Sequence, residues 1–307
     1  MQKNNAASLW MLTLSMVIFG SIGVFRRAIP LTSAALACFR GAAGALFLLA
    51  AAVIQRKKVF RPAGGKITAL LLLSGALMGL NWLLLFEAYR YTTVATATLC
   101  YYMAPTMVIL LSPAVFKVKI GWRKGLCAAV SVAGMVLVSG VIGGGAPRSA
   151  DGIGMLFGLG AAMLYAAVIV LNKKLSGVET YQKTILQLLA AAAVLLPSLL
   201  IEKPSLSGFQ TTGAVLLLLT VGLVHTGAAY ALYFGSMDGL QVQTVALFSY
   251  LDPVTALILS ALVLKEPVTF LSLSGAVLIL GAAVAGEWPA KQAAPETERS
   301  GHELSQP

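Results

Sequence analysis

Charge is what this 307-residue chain has least of. Asp, Glu, Lys and Arg together make up 11%, against about 25% in soluble globular proteins. A compact chain of this length cannot cover a water-facing surface with so few charged side chains, so a soluble globular fold is excluded. Cysteine is nearly missing as well. Cys38, Cys100 and Cys127 are odd in number and lie inside apolar runs, which excludes a disulfide scaffold. No P-loop, H-E-x-x-H or G-x-S-x-G pattern occurs, so direct use of ATP and the common hydrolytic chemistries lose their sequence support. What is abundant is apolar surface. Apolar residues reach 58% and mean hydropathy is +0.87, which excludes disorder over most of the chain and makes lipid its natural solvent.

The charge that remains is unbalanced, with 22 basic residues against 11 acidic ones and a net charge of +11. In a soluble protein this excess would suggest nucleic acid. Here it falls in short clusters between apolar stretches: Arg56, Lys57, Lys58 and Arg61, then Lys117, Lys119, Arg123 and Lys124, then Lys173 and Lys174. Such clusters suit cytoplasmic loops of a membrane protein, and no nucleic-acid partner is expected.

A bilayer core of about 30 Å needs about 20 helical residues. Ten stretches qualify: 8–25, 33–54, 67–89, 93–116, 122–142, 152–172, 182–201, 211–235, 242–264 and 269–287. They are continuously apolar rather than alternating, so helices are expected and barrel strands are not. Residues 1–7 read as a short cytoplasmic start, 143–151 as an outer linker and 288–307 as a disordered cytoplasmic tail. With both termini inside, the cytoplasmic side collects 15 basic residues and the outer side 6. That asymmetry predicts a multi-pass protein of the cell (inner) membrane with both ends cytoplasmic.

The halves resemble each other. A shift of 148 pairs Val94 with Val242, Thr96 with Thr244, Tyr102 with Tyr250, Pro105 with Pro253, Ser112 with Ser260 and Lys117 with Lys265. The matched blocks hold the fourth and ninth stretches, so each repeat has five spans: 8–142 and 152–287. An odd number turns the second copy upside down, as in alternating-access transporters. The fold expected is therefore all-α, integral to the membrane, with ten transmembrane helices as two inverted five-helix repeats.

With these features the chain resembles the EamA family of the drug/metabolite transporter superfamily. Several segments carry the resemblance: Ala37-Cys38-Phe39-Arg40, Phe86-Glu87-Ala88-Tyr89-Arg90-Tyr91-Thr92 leading to Tyr102-Met103-Ala104-Pro105, Tyr250-Leu251-Asp252-Pro253-Val254, and Leu264-Lys265-Glu266-Pro267. The resemblance implies a basket of ten helices around a central cavity and export of an amino acid, amine or drug-like compound. Import of a cationic or amphipathic metabolite by the same fold is the alternative. It implies no cofactor and no metal.

Few ionisable groups fall inside the spans, and each is costly there, at roughly 2.5–3.5 kcal/mol for a central Arg or Asp. Asp252 shares a helical face with Gln241, Thr244, Phe248 and Thr255 and is a candidate for binding solute or for proton coupling. The bland alternative is that it caps the helix restarted at Pro253. His225, mid-span, suits either a proton relay or a satisfied core position. Glu87 sits one turn from the outer end of its span, a candidate cation site that can also snorkel to water. Arg40 reads either as a packed structural charge or as a functional one, a charge-pair or coupling group or a binding group for a substrate carboxylate. Asn81, Trp82, Tyr102, Tyr230, Phe248 and Tyr250 complete the expected lining, because Trp82 and Phe86 recur as Tyr230 and Phe234 in the second copy. Pro105 and Pro253 are expected to kink the fourth and ninth spans at related depths. Gly134 and Gly281 read as points of close helix packing. Monomer and homodimer both remain open. An intramembrane enzyme is the reading from another class, but Asp252 has no second Asp within a span to work with.

Overall fold

A computed structural model describes residues 5–56, 64–117, 119–139, 149–175, 177–202, 211–237, 240 and 242–287. The N-terminal four residues, most of the 143–151 linker, Gln241 and the tail beyond 287 lie outside them. All the regular structure among the described residues is helical. The chain runs through α1 (Asn5–Ala28), α2 (Ser33–Ile54), α3 (Gly65–Tyr91), α4 (Val94–Tyr101), α5 (Ala104–Phe116), α6 (Trp122–Val138), α7 (Ser149–Lys174) and α8 (Thr180–Glu202). It continues through α9 (Thr212–Leu219), a π-helical segment (Thr220–Ala228), α10 (Ala229–Met237), α11 (Val242–Ser249), α12 (Leu251–Leu262) and α13 (Phe270–Glu287).

Among the described residues, seven helical stretches are long and apolar enough to cross a membrane: Ala6–Ala28, Ser33–Ile54, Gly65–Tyr91, Val94–Leu111, Asp151–Lys174, Thr180–Ile201 and Thr212–Met237. Leu247–Leu262 and Phe270–Gly286 are shorter apolar helices, and α6, opening with Arg123 and Lys124, has 17 residues. Large apolar side chains stay exposed along these helices, among them Leu46, Leu156, Leu216 and Val277. In water such a surface would aggregate; in a bilayer it is the lipid contact.

Threonines start three of the helices. Thr32, Thr93 and Thr211 each take an N-cap position and accept a backbone N–H three residues on, which supplies one of the orphan donors of a helix start. Lys117 and Lys265 both adopt left-handed φ angles of 53°, one just after α5 and the other just after α12. A left-handed lysine costs roughly 1–2 kcal/mol, so the same backbone turn is held at two positions 148 residues apart.

Helices from the two sequence halves interleave. α3 packs on α7 and α8, α2 on α8 and the π-helical segment, α1 on α10 and α12, and α6 on α13. Close approach relies on small residues. A Cβ on Gly134 would lie 2.8 Å from the Gly275 carbonyl oxygen, so α6 and α13 touch backbone to backbone. Gly281 corrects the expectation from sequence: a side chain there would meet nothing within 4 Å. The contact on α13 is made by Gly275, six positions earlier, where an added Cβ would lie 2.5 Å from the Gly134 carbonyl oxygen.

Candidate functional site

Two helices stop and restart in mid-course. The run begun by α4 breaks at Tyr102 and Met103, and α5 resumes at Ala104-Pro105. The run begun by α11 breaks at Tyr250, and α12 resumes at Leu251-Asp252-Pro253. A proline in the first turn of a helix lacks only an N–H that has no helical partner anyway, so each Pro serves as a start signal for the second segment. This break also divides the polar face expected on the ninth span. Phe248, on the first side of the break, packs with Leu12, Met16 and Val245, whereas Asp252, on the other side, turns into a cavity.

That cavity has a volume of about 190 Å³. α1 contributes Met16, Phe19, Gly20 and Ile22, α2 contributes Arg40, and α3 contributes Met78, Asn81, Trp82, Leu85 and Tyr89. Thr98, Tyr101 and Tyr102 come from the first interrupted helix, with Ser249, Asp252 and Ala256 from the second. Tyr165 of α7 and Tyr230 and Tyr233 of α10 close the wall. Tyr101 stacks on Tyr165 at 5.2 Å between centroids, and Phe19 meets Tyr230 edge-on at the same distance. The walls are therefore aromatic, with one carboxylate and one guanidinium.

Asp252 is reached from the other half of the chain: the Tyr102 hydroxyl donates to its Oδ2 at 2.7 Å. Among the described residues the carboxylate accepts no backbone N–H, so the geometry gives no sign of capping. The backbone around it is fixed by α1, since a Cβ at Gly20 would collide with the Asp252 carbonyl oxygen and the Thr255 side chain.

Arg40 is buried, 5% exposed. Its Nε donates to Thr226 Oγ1 at 3.1 Å, and its guanidinium lies 4.1 Å from the centroid of Trp82 and 5.5 Å from that of Phe86. Planar stacking on aromatic faces is what an Arg does better than a Lys. No described carboxylate comes within ion-pair distance of it. The π-helical segment supplies its acceptor. In that wider turn the Thr226 hydroxyl reaches the Val221 carbonyl five residues back, at 3.1 Å, while accepting from Arg40. π-helical turns recur at functional sites.

The remaining candidates separate. Asn81 is at the cavity wall, 1% exposed, with Nδ2 donating to the Ala161 carbonyl at 2.5 Å and Oδ1 without a partner. His225 does not line the cavity: it is 2% exposed, with Nε2 2.9 Å from Ser21 Oγ and its ring 4.4 Å from that of Phe25. Glu87 lies near the end of α3, paired with Arg90 at 3.0 Å. Tyr250, 8% exposed, stands 6.4 Å from Tyr102 between ring centroids, at the break rather than in the lining. Gln187, which faces Arg40 in the repeat at a shift of 147, donates to Ser74 Oγ and Asn172 Oδ1 and so ties α8 to α3 and α7.

Tyr89 shares the face of Trp82 in α3 and lines the cavity with it; Thr98, Tyr101, Tyr165 and Tyr233 line it without having stood out in the sequence. The repeat itself held a signal for some of them. Tyr101 and Ser249, Leu85 and Tyr233, and Trp82 and Tyr230 are pairs at the shift of 148, and both members of each line the cavity.

Glu266, between α12 and α13, holds one end of the bundle. Its carboxylate accepts Val94 N at 2.8 Å, Arg27 Nη2 at 3.1 Å and the Ser260 hydroxyl. Arg27 also donates to the Thr92 carbonyl at 2.8 Å. One side chain thus joins the end of α1, the start of α4 and the end of α12.

Multi-pass apolar helices around an aromatic cavity that holds one carboxylate and one guanidinium define a membrane transporter in class, a protein with the bilayer as solvent and a small molecule as cargo. The particular family follows from comparison. The profile of the EamA-like transporter family matches residues 6–140 and again residues 152–285, and the chain belongs to that family. It is 27% identical over 263 residues to "Uncharacterized transporter YxxF" of Bacillus subtilis (strain 168), covering 84% of this chain and 82% of that one. An "Uncharacterized transporter" of Archaeoglobus fulgidus is 27% identical over 194 residues, 63% of this chain and 67% of that one. A further one, of Clostridium kluyveri, is 25% identical over 244 residues, 77% and 78% of the two chains. A crystal structure shares the fold with a TM-score of 0.65 at 19% identity, over 92% of this chain and 99% of its own.

Proposed function

We propose that the chain is a secondary transporter that moves an amino acid, amine or drug-like compound across the cell (inner) membrane by alternating access. It works as ten spans in two inverted repeats, 8–142 and 152–287, with both termini cytoplasmic, and its main direction is export. Residues 143–151 link the repeats outside, and residues 1–7 and 288–307 lie in the cytoplasm. The double match to one family profile and the 15-to-6 division of basic residues support this arrangement.

The observation that carries the reading is the pairing of opposite charges across the 190 Å³ cavity. Asp252 and Arg40 both line it, yet neither is spent on the other. Asp252 suits an ammonium group or a coupling proton, Arg40 a carboxylate, and Trp82, Tyr102 and Tyr230 an apolar or aromatic body. Asn81 Oδ1 adds an acceptor. Because Tyr102 comes from one repeat and Asp252 from the other, rocking the repeats changes the distance between binding groups, which is what alternating access requires. Glu87, His225, Phe248 and Tyr250 act outside the lining, as end-of-bundle, packing and hinge groups.

Reconstitution into vesicles tests this. Purified protein should move radiolabelled amino acids or amines across the membrane chemically unchanged. Absence of flux for every amine and amino acid tried, or release of a chemically altered compound, would refute it.

A further inference from the structure

A second cavity, of about 530 Å³, opens at the end of the bundle where α1 passes to α2. Arg26, Arg27 and Arg90 line it together with Tyr89 and the uncharged turn Ile29–Thr32. Tyr89 also lines the central cavity, so one ring, 3% exposed and 3.3 Å from Thr98 Oγ1 at its hydroxyl, stands between the two spaces. Of the three guanidinium groups, two have a carboxylate: Arg27 has Glu266 and Arg90 has Glu87. Arg26 has none among the described residues. It is 7% exposed, its Nη atoms donate to the Ile29 carbonyl and Ser33 Oγ, and its Nε is buried without a partner. Glu87, already paired with Arg90, acts on it only from beyond ion-pair distance, and a guanidinium hydrogen-bonded only to neutral acceptors keeps part of its charge uncompensated. The cavity therefore carries one positive charge in excess.

We propose that this cavity is an anion subsite that takes a carboxylate, phosphate or sulfate group, with Arg26 as its central charge and Arg90 as its exposed rim. Arg26 and Tyr89 are buried, while the side chains of Arg27 and Arg90 stay 38% and 57% exposed, so the occupant enters from the open end of the bundle. The occupant is the anionic group of a solute, and a lipid headgroup is the competing source that a phosphatidylglycerol nanodisc separates from it. The assignment rests on the central-cavity reading only in placing both sites on one route. Occupation of the subsite is measurable without transport.

Sulfate serves as the probe. Purified protein in nanodiscs of phosphatidylcholine should melt at a higher temperature as sodium sulfate is raised at constant ionic strength, with saturation, whereas sodium chloride should give no saturating rise. Arg26→Gln and Arg90→Gln should each weaken the apparent sulfate affinity roughly tenfold or more, the scale of one charged hydrogen bond. If Arg26→Gln does not fold, Arg90→Gln decides alone. Asp252→Asn should keep the sulfate response, so loss of the central-site reading leaves this one standing. Lack of saturation in the wild type, or equal affinity in the folded arginine variants, overturns the proposal. So does abolition of the response by phosphatidylglycerol in the nanodisc, which would assign the site to lipid.

Discussion

Tyr102 and Tyr250 stand at two helix interruptions 148 residues apart, and the segments that follow differ by one carboxylate. After Tyr102 the chain reads Met-Ala-Pro; after Tyr250 it reads Leu-Asp-Pro. Both helices break, so the break does not need the charge. The Asp is then an addition of the second segment, and its partner hydroxyl comes from the first, with Tyr102 donating to Asp252 at 2.7 Å. The same pairing cannot form in reverse, because the residue at the counterpart of Asp252 is Ala104, which carries no carboxylate. The comparison shows how a repeated scaffold carries an unrepeated site: backbone geometry is shared, while chemistry sits on one copy and is read by the other.

The sharpest way to break the comparison is to remove the charge and keep the shape. Asp252→Asn should leave folding intact and abolish vesicle transport; transport at wild-type rate in a well-folded Asn variant would remove Asp252 from the site. A smaller effect is expected from the tyrosines. Tyr102→Phe deletes a hydrogen bond to a charged group, worth about 1.5–3 kcal/mol. Solute affinity should therefore fall by about ten- to a hundredfold, as read by competition binding. Tyr250→Phe takes no hydrogen bond from Asp252 and should fall well short of that. Equal losses from the two would show that the hydroxyls act alike and the asymmetry is unimportant. The smallest effect belongs to the prolines. Each lies in the first turn of a restarted helix, where its missing N–H costs little. Pro105→Ala and Pro253→Ala should each shift unfolding stability by under about 1 kcal/mol, measured by denaturation in mild detergent. A loss of several kcal/mol at either would show that the ring itself holds the break.

Much of the fold was legible because the hydropathy of a membrane helix is a length signal, and runs such as 33–54 and 67–89 map onto α2 and α3 almost residue for residue. The orientation of side chains around each axis was not. A soluble helix marks its buried face by contrast with a polar one; here lipid-facing Leu46 and core-facing Leu48 are chemically alike. His225 shows the cost. Its polarity suggested a cavity position, while its surroundings, Phe25 and Ser21, place it in a packed contact between α1 and the π-helical segment. The π-helical geometry carries no motif, and it rotates His225 and Thr226 away from where an α-helix would put them. Arg40 and Asp252, which line the cavity, stood out because a charge in lipid is rare. Tyr101 and Tyr165 were not, because aromatic side chains are equally at home in lipid, in a core and around a solute.

The surroundings of Arg40 also bear on how the protein is made. Trp82, Phe86 and Thr226, which receive its guanidinium, all lie later in the chain than α2. As synthesis proceeds from the N-terminus, the second span must enter the bilayer while its arginine has none of these contacts, at a cost of up to about 3.5 kcal/mol on insertion scales. α3 brings the aromatic faces next, and the threonine arrives only after some 140 further residues have been added. A ribosome-bound chain ending before Trp82 should therefore hold its second span poorly in the membrane, and one extended through α3 should hold it well. The π-helical segment, made late in synthesis, completes a contact that the second span has been waiting for.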